Sequence, residues 1–313
     1  MVDEKTIAVV VPAHNEDQLI GPTLAGIPEF VDRVFVVDDA STDETAARVQ
    51  EAADLRVRLL SRERNGGVGA AIVTGYHAAL AEGIDVTCVM AADNQMDPAD
   101  LLTLVEPVAR GEVDYAKANR LVSGEAWQLT PHTRYLGNAI LSLLTKIASG
   151  YWHVADSQTG YTAISRSMLA QIDLDRIYRG YGFPNDLLVH LNVWNARVRD
   201  FPSRPVYGVG EQSGIKFRQV IPRISWLLVK GFFWRLREKY VIRDFHPLVF
   251  FYALGILMTL AGLVLGVVVV VLRLAGNEIT TPTIVLVALL LISGSQFTLF
   301  AMWFDMESNK DLR

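Results

Sequence analysis

The sequence predicts a soluble α/β head carried on a C-terminal pair of membrane-spanning helices. Three observations lead there. Short β-branched runs alternate with helical stretches through the first part of the chain. Polar clusters stand at the ends of those runs. Beyond residue 245 come two uncharged apolar runs, 247–272 and 282–304. Each is long enough to cross a ~30 Å hydrocarbon core, which takes roughly 20 helical residues.

The strands are expected at 6–11, 34–38, 57–60 and 86–91, and the helices between them at 17–25, 42–53, 69–81 and 98–110. Such alternation predicts a mostly parallel sheet with helices on both faces. Ligands of these sheets bind beyond the carboxyl ends of the strands. From 114 to 210 the pattern is less regular, with a strand at 113–118 and a helix at 135–147. Residues 217–240 mix aromatics (Trp226, Phe232, Phe233, Trp234) with basic residues, the composition of interfacial helices, which Pro222 and Gly231 divide. The expected organisation is a head over 1–216, interfacial helices over 217–244, a membrane hairpin over 245–305 and a tail over 306–313.

The apolar fraction of 51% over 313 residues fits a head plus a hairpin, and a net charge of −5 argues against nucleic acid as the main partner. The only cysteine, Cys88, falls inside a strand and reads as a small core residue. Met1-Val2-Asp3-Glu4-Lys5 passes directly from charge to strand, so no signal peptide is expected. Lys230, Arg235, Arg237, Lys239 and Arg243 precede the first span, Lys310 and Arg313 follow the second, and the intervening turn carries one Arg and one Glu. The positive-inside rule therefore places the head and the tail in the cytoplasm. Gly255, Gly262 and Gly266 offer a small-residue face for packing within the hairpin or between protomers of a homo-oligomer.

Asp38-Asp39-Ala40-Ser41-Thr42-Asp43-Glu44 follows the second strand. Ser41 with Glu44 fits a capping box. The two adjacent acids suit hydrogen bonds to a ribose or base edge. Asn65-Gly66-Gly67-Val68-Gly69 opens a helix but lacks the third glycine of the dinucleotide fingerprint and the Gly-Lys-Ser/Thr of a P-loop. Its glycines make either a tight turn or a close approach for phosphate or sugar. In Met90-Ala91-Ala92-Asp93-Asn94-Gln95-Met96-Asp97-Pro98, Asp93 and Gln95 are hard oxygen donors suited to Mg²⁺ or Mn²⁺ bound together with a diphosphate. Asp97 before Pro98 reads as a helix N-cap.

These motifs, with Val10-Val11-Pro12-Ala13-His14-Asn15-Glu16, occur in the order found in family 2 glycosyltransferases of the GT-A fold. Within that family the chain most resembles the polyprenyl-phosphate glycosyltransferases, the group of dolichyl-phosphate mannose synthase and its bacterial glucosyl relatives. The resemblance covers residues 6–216 and implies a role for each matching position. Pro12, Asn15 and Glu16, with Asp38, Asp39 and Gly67, would hold the nucleotide sugar, and Asp93 and Gln95 the metal and diphosphate. Arg120 would line the active site, and Asp156 and Gln158 would stand beside the acceptor. Arg134, Ser213 and Lys216 would meet the lipid phosphate. One position departs from the family: Ala91 stands where an acid is usual, which removes a metal or ribose ligand, and Asp186 is a candidate to restore acid character.

The implied reaction moves a hexose from GDP-mannose or UDP-glucose to a polyprenyl or dolichyl phosphate in the membrane, with inversion. Two other readings compete. A processive polysaccharide synthase would carry Gln-x-x-Arg-Trp, whereas Gln219, Arg223 and Trp226 occur in that order at a different spacing. A non-catalytic nucleotide-binding scaffold would account for Ala91.

Overall fold

A computed structural model describes residues 1–121, 132–203 and 217–313, without the side chains of 132–136, 138 and 217–219. The chain divides into two compact units, Met1–Phe233 with Asp311–Arg313, and Trp234–Lys310.

The first unit is built on one seven-stranded sheet. Its elements are β1 (Ile7–Ala13), α1 (Ile20–Gly26), β2 (Arg33–Asp38), α2 (Thr45–Glu51), β3 (Val57–Ser61), α3 (Val68–Ala81), β4 (Val86–Val89), α4 (Leu101–Ala109), β5 (Tyr115–Asn119), α5 (His132–Ser149), β6 (Thr162–Ser165), α6 (Arg166–Leu169), α7 (Phe183–Val193), β7 (Val198–Pro202) and α8 (Phe217–Arg237), the last shared with the second unit. The strand order is β3-β2-β1-β4-β6-β5-β7, with β6 antiparallel to both neighbours and the other pairings parallel.

Successive strand residues point to opposite faces, so a sheet covered on both sides needs near-continuous apolar strands. Ala8 and Val10 of β1, with Phe35 and Val37 of β2, enter one core beside α3 and α7. Ile7, Val9 and Val11, with Val34 and Val36, enter the other beside α1 and α4. Each such fully buried Val, Ile or Phe contributes about 1.5–3 kcal/mol. Cys88 belongs to the second core, where burial pushes its thiol up. Pro12 is tolerated inside β1 because pairing with β4 stops at Val10↔Val89, so no ladder donor is lost there.

α7 is buried along nearly its whole length. α8 runs unbroken through Pro222 and Gly231, so neither residue divides it. Gly231 allows close packing instead: a Cβ there would stand 3.4 Å from the Val189 side chain of α7.

The second unit is a helical hairpin. α9 (Leu248–Leu274) and α10 (Thr281–Ser308) are 27 and 28 residues long and contain 18-residue stretches of mean hydropathy 2.8 and 2.2, long and apolar enough to cross a membrane. They pack through small residues. A Cβ at Gly255 would meet Thr298 Oγ1 at 2.5 Å, and one at Gly294 would meet Thr259 Oγ1 at 2.5 Å. Gly255 and Gly262 are thus used within the hairpin.

α10 continues past the apolar run through Asp305 because that carboxylate is matched. The Arg235 guanidinium donates to it through both terminal nitrogens, each at 2.8 Å, and neither side chain reaches solvent. Tyr240, in the π-helical turn Glu238–Arg243, donates its hydroxyl to Asp305 Oδ1 at 2.6 Å, and Lys239 Nζ donates to Asn309 Oδ1 at 2.8 Å. Arg235 and Lys239, counted from sequence among the basic residues that precede the first span, are interior groups. Arg237 and Arg243 remain exposed.

Candidate active site

Strand register brings the site loops to one edge. Ala13, Asp38 and Ser61 end β1, β2 and β3 side by side. Val89 of β4 and Lys117 of β5 both pair with Thr162, the first residue of β6. Asp93 beyond β4, Arg120 beyond β5 and the 156–160 segment leading into β6 therefore emerge together.

The loops after β1 and β2 are stapled to each other. Asn15, at φ +57°, donates its backbone N–H to Ser41 Oγ (3.0 Å) and accepts with Oδ1 from Thr42 N (2.8 Å). Glu16 N donates to Thr45 Oγ1 at 2.8 Å. Ser41 is thus a loop tie rather than the cap of α2, and Asp43 Oδ1 accepts from Thr45 N at 3.0 Å. Burial, then the Asp93, Asp43 and Asp17 carboxylates, push Glu16 up to about 7.

Asp38 Oδ1 accepts from Ser41 N at 3.0 Å. Asp39 turns to the glycine loop: it accepts from Arg62 Nε at 2.8 Å, Gly66 N at 3.0 Å and Gly67 N at 2.8 Å. Gly67 sits at φ +88°, and a Cβ on it would approach Arg179 O to 2.9 Å. A Cβ on Gly69 would meet the Arg179 and Tyr178 backbone at 2.8 Å. The glycines make room for protein backbone, and the Gly66 and Gly67 amides, for which the sequence left a tight turn or a phosphate or sugar approach open, donate to Asp39, Gly67 N also to Asn65 Oδ1 at 3.0 Å.

Asp93 and Gln95 lie on a turn in which Asn94 takes φ +56° and Gln95 N donates to Asp93 Oδ1 at 3.1 Å. Met96 packs back over the position of the missing acid, with Ala91 N 3.2 Å from its sulfur. Among the described residues no three His, Cys, Asp or Glu side chains gather into a metal cage. One carboxylate and one amide oxygen on an ordered turn still fit Mg²⁺ or Mn²⁺, ions that take few protein ligands and share substrate phosphates. Asp97 caps the next turn, accepting from Ala99 N at 2.9 Å.

Asp156 is the best-held acid of the site. Arg120 Nε donates to its Oδ2 at 2.8 Å, and Gln158 N to its Oδ1 at 3.1 Å. Burial alone would raise it, but the Arg120 guanidinium and the Lys117 ammonium outweigh that and hold it below the usual carboxylate range. Gln158 Nε2 donates to Ser157 Oγ at 3.0 Å, and Ser157 is bound in turn by Asn185 Nδ2 at 3.2 Å. Sequence reasoning missed Lys117 and Asp200 behind this pair; the available signal was a lysine inside the otherwise core-like Tyr-Ala-Lys-Ala strand.

Asp186 lies on α7 and accepts from Tyr178 N at 2.8 Å. Burial pushes it up to about 6, and pushes His190, 3.9 Å away, down to about 4. The folded carboxyl keeps its proton where the unfolded one, at 3.8, has lost it, so this group makes the fold less stable as pH rises from about 4 to 6. Asp186→Asn keeps the acceptor and removes the titration. Thermal melts are expected to match the native protein below pH 4 and to exceed it above pH 6, by an order of 3 kcal/mol at most.

Ser213 and Lys216 lie outside the described residues, as does the side chain of Arg134. Trp226, of the imperfect synthase motif, is 60% exposed on α8, with the Lys230 ammonium 5.4 Å over its ring.

The mixed seven-stranded sheet, with the acid–amide turn after β4 and the Arg120–Asp156 pair at the same edge, is of the GT-A type found in glycosyltransferases. Residues 8–173, more than half of the chain, match the Glycosyl transferase family 2 profile, and the chain belongs to that family. It is 32% identical over 201 residues to an undecaprenyl-phosphate mannosyltransferase of Micrococcus luteus, covering 63% of this chain and 82% of the relative. It is 26% identical over 219 residues to a UDP-N-acetylglucosamine–dolichyl-phosphate N-acetylglucosaminyltransferase of Methanococcus voltae, covering 65% of this chain and 87% of that one. The crystal structure of glucosyl-3-phosphoglycerate synthase from Mycobacterium tuberculosis with Mn²⁺, UDP and glucosyl-3-phosphoglycerate superposes with a TM-score of 0.57 at 22% identity, over 74% of this chain and 80% of the other, which establishes the shared fold.

Proposed function

We propose that the protein moves a hexose, with inversion, from a nucleotide sugar to the phosphate of a polyprenyl or dolichyl phosphate. The observation that carries this is the register at Thr162, which sets the Asp93–Gln95 turn and the Arg120–Asp156 pair at one sheet edge. The relatives' names and the two long apolar helices support a lipid acceptor. Those names spread over mannose and N-acetylglucosamine, so donors to test include GDP-mannose, UDP-glucose and UDP-N-acetylglucosamine.

Asp93 and Gln95 would hold Mg²⁺ or Mn²⁺, which supplies Lewis-acid neutralisation of the diphosphate. Arg120, fixed by Asp156, stabilises the charge that grows on the leaving group. The loops carrying Pro12, Asn15, Glu16 and Asp38 hold the nucleoside. A phosphate monoester, with a second pKa of ~6, is already anionic at neutral pH and needs no strong base. It needs shielding from the donor's charge, the role assigned to Arg134, Ser213 and Lys216. The head works on the cytoplasmic side in this reading.

The test is transfer by detergent-solubilised protein with polyprenyl phosphate, Mn²⁺ or Mg²⁺ and a donor panel, read by mass spectrometry. One donor is expected to yield a glycosyl phospholipid. Asp93→Asn is expected to lower the rate on the order of a hundredfold or more, and to weaken Mn²⁺ binding measured by electron paramagnetic resonance. Nucleotide binding without product from any donor would favour a scaffold, and product growing beyond one sugar would favour a synthase.

A further inference from the structure

Behind the Arg120–Asp156 pair lies a charged group that the transfer chemistry leaves without a role. Lys117 stands in the middle of β5 and is wholly buried. Its ammonium donates to the backbone carbonyl of Asp156 and lies 3.7 Å from Asp200 Oδ1 on β7. Asp200 Oδ2 accepts from Ala155 N at 2.7 Å and from Asn119 Nδ2 at 2.9 Å. Asn119 Oδ1 in turn accepts from Leu121 N at 2.9 Å. The backbone at 155 and 156 is thus gripped from the sheet side, while the Asp156 carboxylate grips Arg120 on the other.

Two cations and two carboxylates balance in this cluster, with every one of the four contacting another. A lysine is almost never fully buried without pairing. Burial lowers the Lys117 pKa and Arg120 adds to the effect, while Asp200 and Asp156 oppose it. A site that needed packing alone is served at least as well by apolar residues of similar volume. What apolar residues would not supply is a fixed donor for the Asp156 carbonyl and a fixed acceptor for Ala155 N. Both contacts act on the segment that anchors Arg120.

We infer that Lys117 and Asp200 are positioning residues, a buried clamp that holds the Asp156 segment and thereby sets the aim of the Arg120 guanidinium at the leaving diphosphate. The inference rests on the transferase reading for its consequence, but the clamp itself is testable without catalysis.

Lys117→Met alone strands the Asp200 charge, so the informative protein is the full chain with Lys117→Met and Asp200→Asn together, in which an amide oxygen still accepts from Ala155. Folding is checked by thermal melting in detergent. Two further readouts are taken: kcat and donor KM, and the Arg120 Nε–H resonance by ¹⁵N NMR, assigned through Arg120→Lys. In the native protein that N–H is expected to be protected from exchange. In the folded double variant, kcat is expected to fall about ten- to hundredfold, the size seen when a group that aims a catalytic residue is lost. Donor KM should stay within about twofold, since ground-state binding is untouched, and the resonance should broaden through exchange. A folded double variant with native kcat and an unchanged resonance overturns the clamp. If the native protein transfers from no donor, the transferase reading fails and the resonance alone decides: broadening upholds the clamp, an unchanged signal overturns it. Where the double variant does not fold, Lys117→Arg takes its place: a folded protein with lowered kcat and an altered resonance upholds the clamp, and native values overturn it.

Discussion

Asp39→Ala is expected to cost the head about 3–5 kcal/mol, because one nearly buried carboxylate serves three donors and charge-assisted hydrogen bonds are worth about 1.5–3 kcal/mol each before the remaining contacts relax. Arg62 Nε and Gly66 N would lose their acceptor, and Gly67 N would be left with Asn65 Oδ1 at 3.0 Å. Arg62 would keep Thr74 Oγ1 at 2.7 Å, which is why the loss falls short of the sum. Asp39→Asn should recover little, since the amide turns an N–H₂ toward groups that are themselves donors. Ser41→Ala, which removes one neutral acceptor from Asn15 N, should cost about 1 kcal/mol. Urea unfolding followed by tryptophan fluorescence would rank the three. A ranking with Ser41 first would place the anchor of these loops elsewhere.

Asp305→Ala is expected to be nearly as severe. Removing one partner of a buried ion pair costs about 3–5 kcal/mol because the other charge is left uncompensated. Here the stranded group is the fully buried Arg235, and the Tyr240 hydroxyl loses its acceptor as well. Replacing both charges together, Arg235→Met with Asp305→Leu, should return most of the loss, because apolar residues of similar volume often match a buried pair. Thermal melting in detergent would separate the cases: a deep fall for the single substitution and a shallow one for the double. Equal falls would mean that the pair contributes through its hydrogen-bond network with Tyr240 and Asn309 rather than through charge balance.

The parallel half of the sheet was legible because its strands are buried on both faces and so are written as unbroken β-branched runs, as in Ile7-Ala8-Val9-Val10-Val11. β6 and β7 were not. Thr162-Ala163-Ile164-Ser165 has one bulky apolar residue, and Val198-Arg199-Asp200-Phe201-Pro202 carries two charges. Both are strands because of their neighbours, β4 and β5 for the one and β5 for the other, rather than by their own preference. α7, buried on every side, lacks the amphipathic stripe that marks a surface helix. The second span was read as ending at Phe304, since Asp305 looks like a boundary; only the distant Arg235 makes it an interior residue. In the site, the acids and glycines were visible by type and order, but their partners were not. Asp39 pairs with amides 27 and 28 positions away, and Asp200 with Lys117, contacts that no local window holds.

Cys88 lies sealed in β4, and no other cysteine occurs in the chain. The native protein therefore presents no thiol to a water-soluble maleimide, and a single substitution creates a unique attachment point without prior removal of native sulfur. A spin label or fluorophore set at Glu278, in the turn between α9 and α10, or at Asp311, beyond the hairpin, would sit on an otherwise silent background. The membrane side on which each labelled position lies then becomes measurable in a protein altered at one residue only.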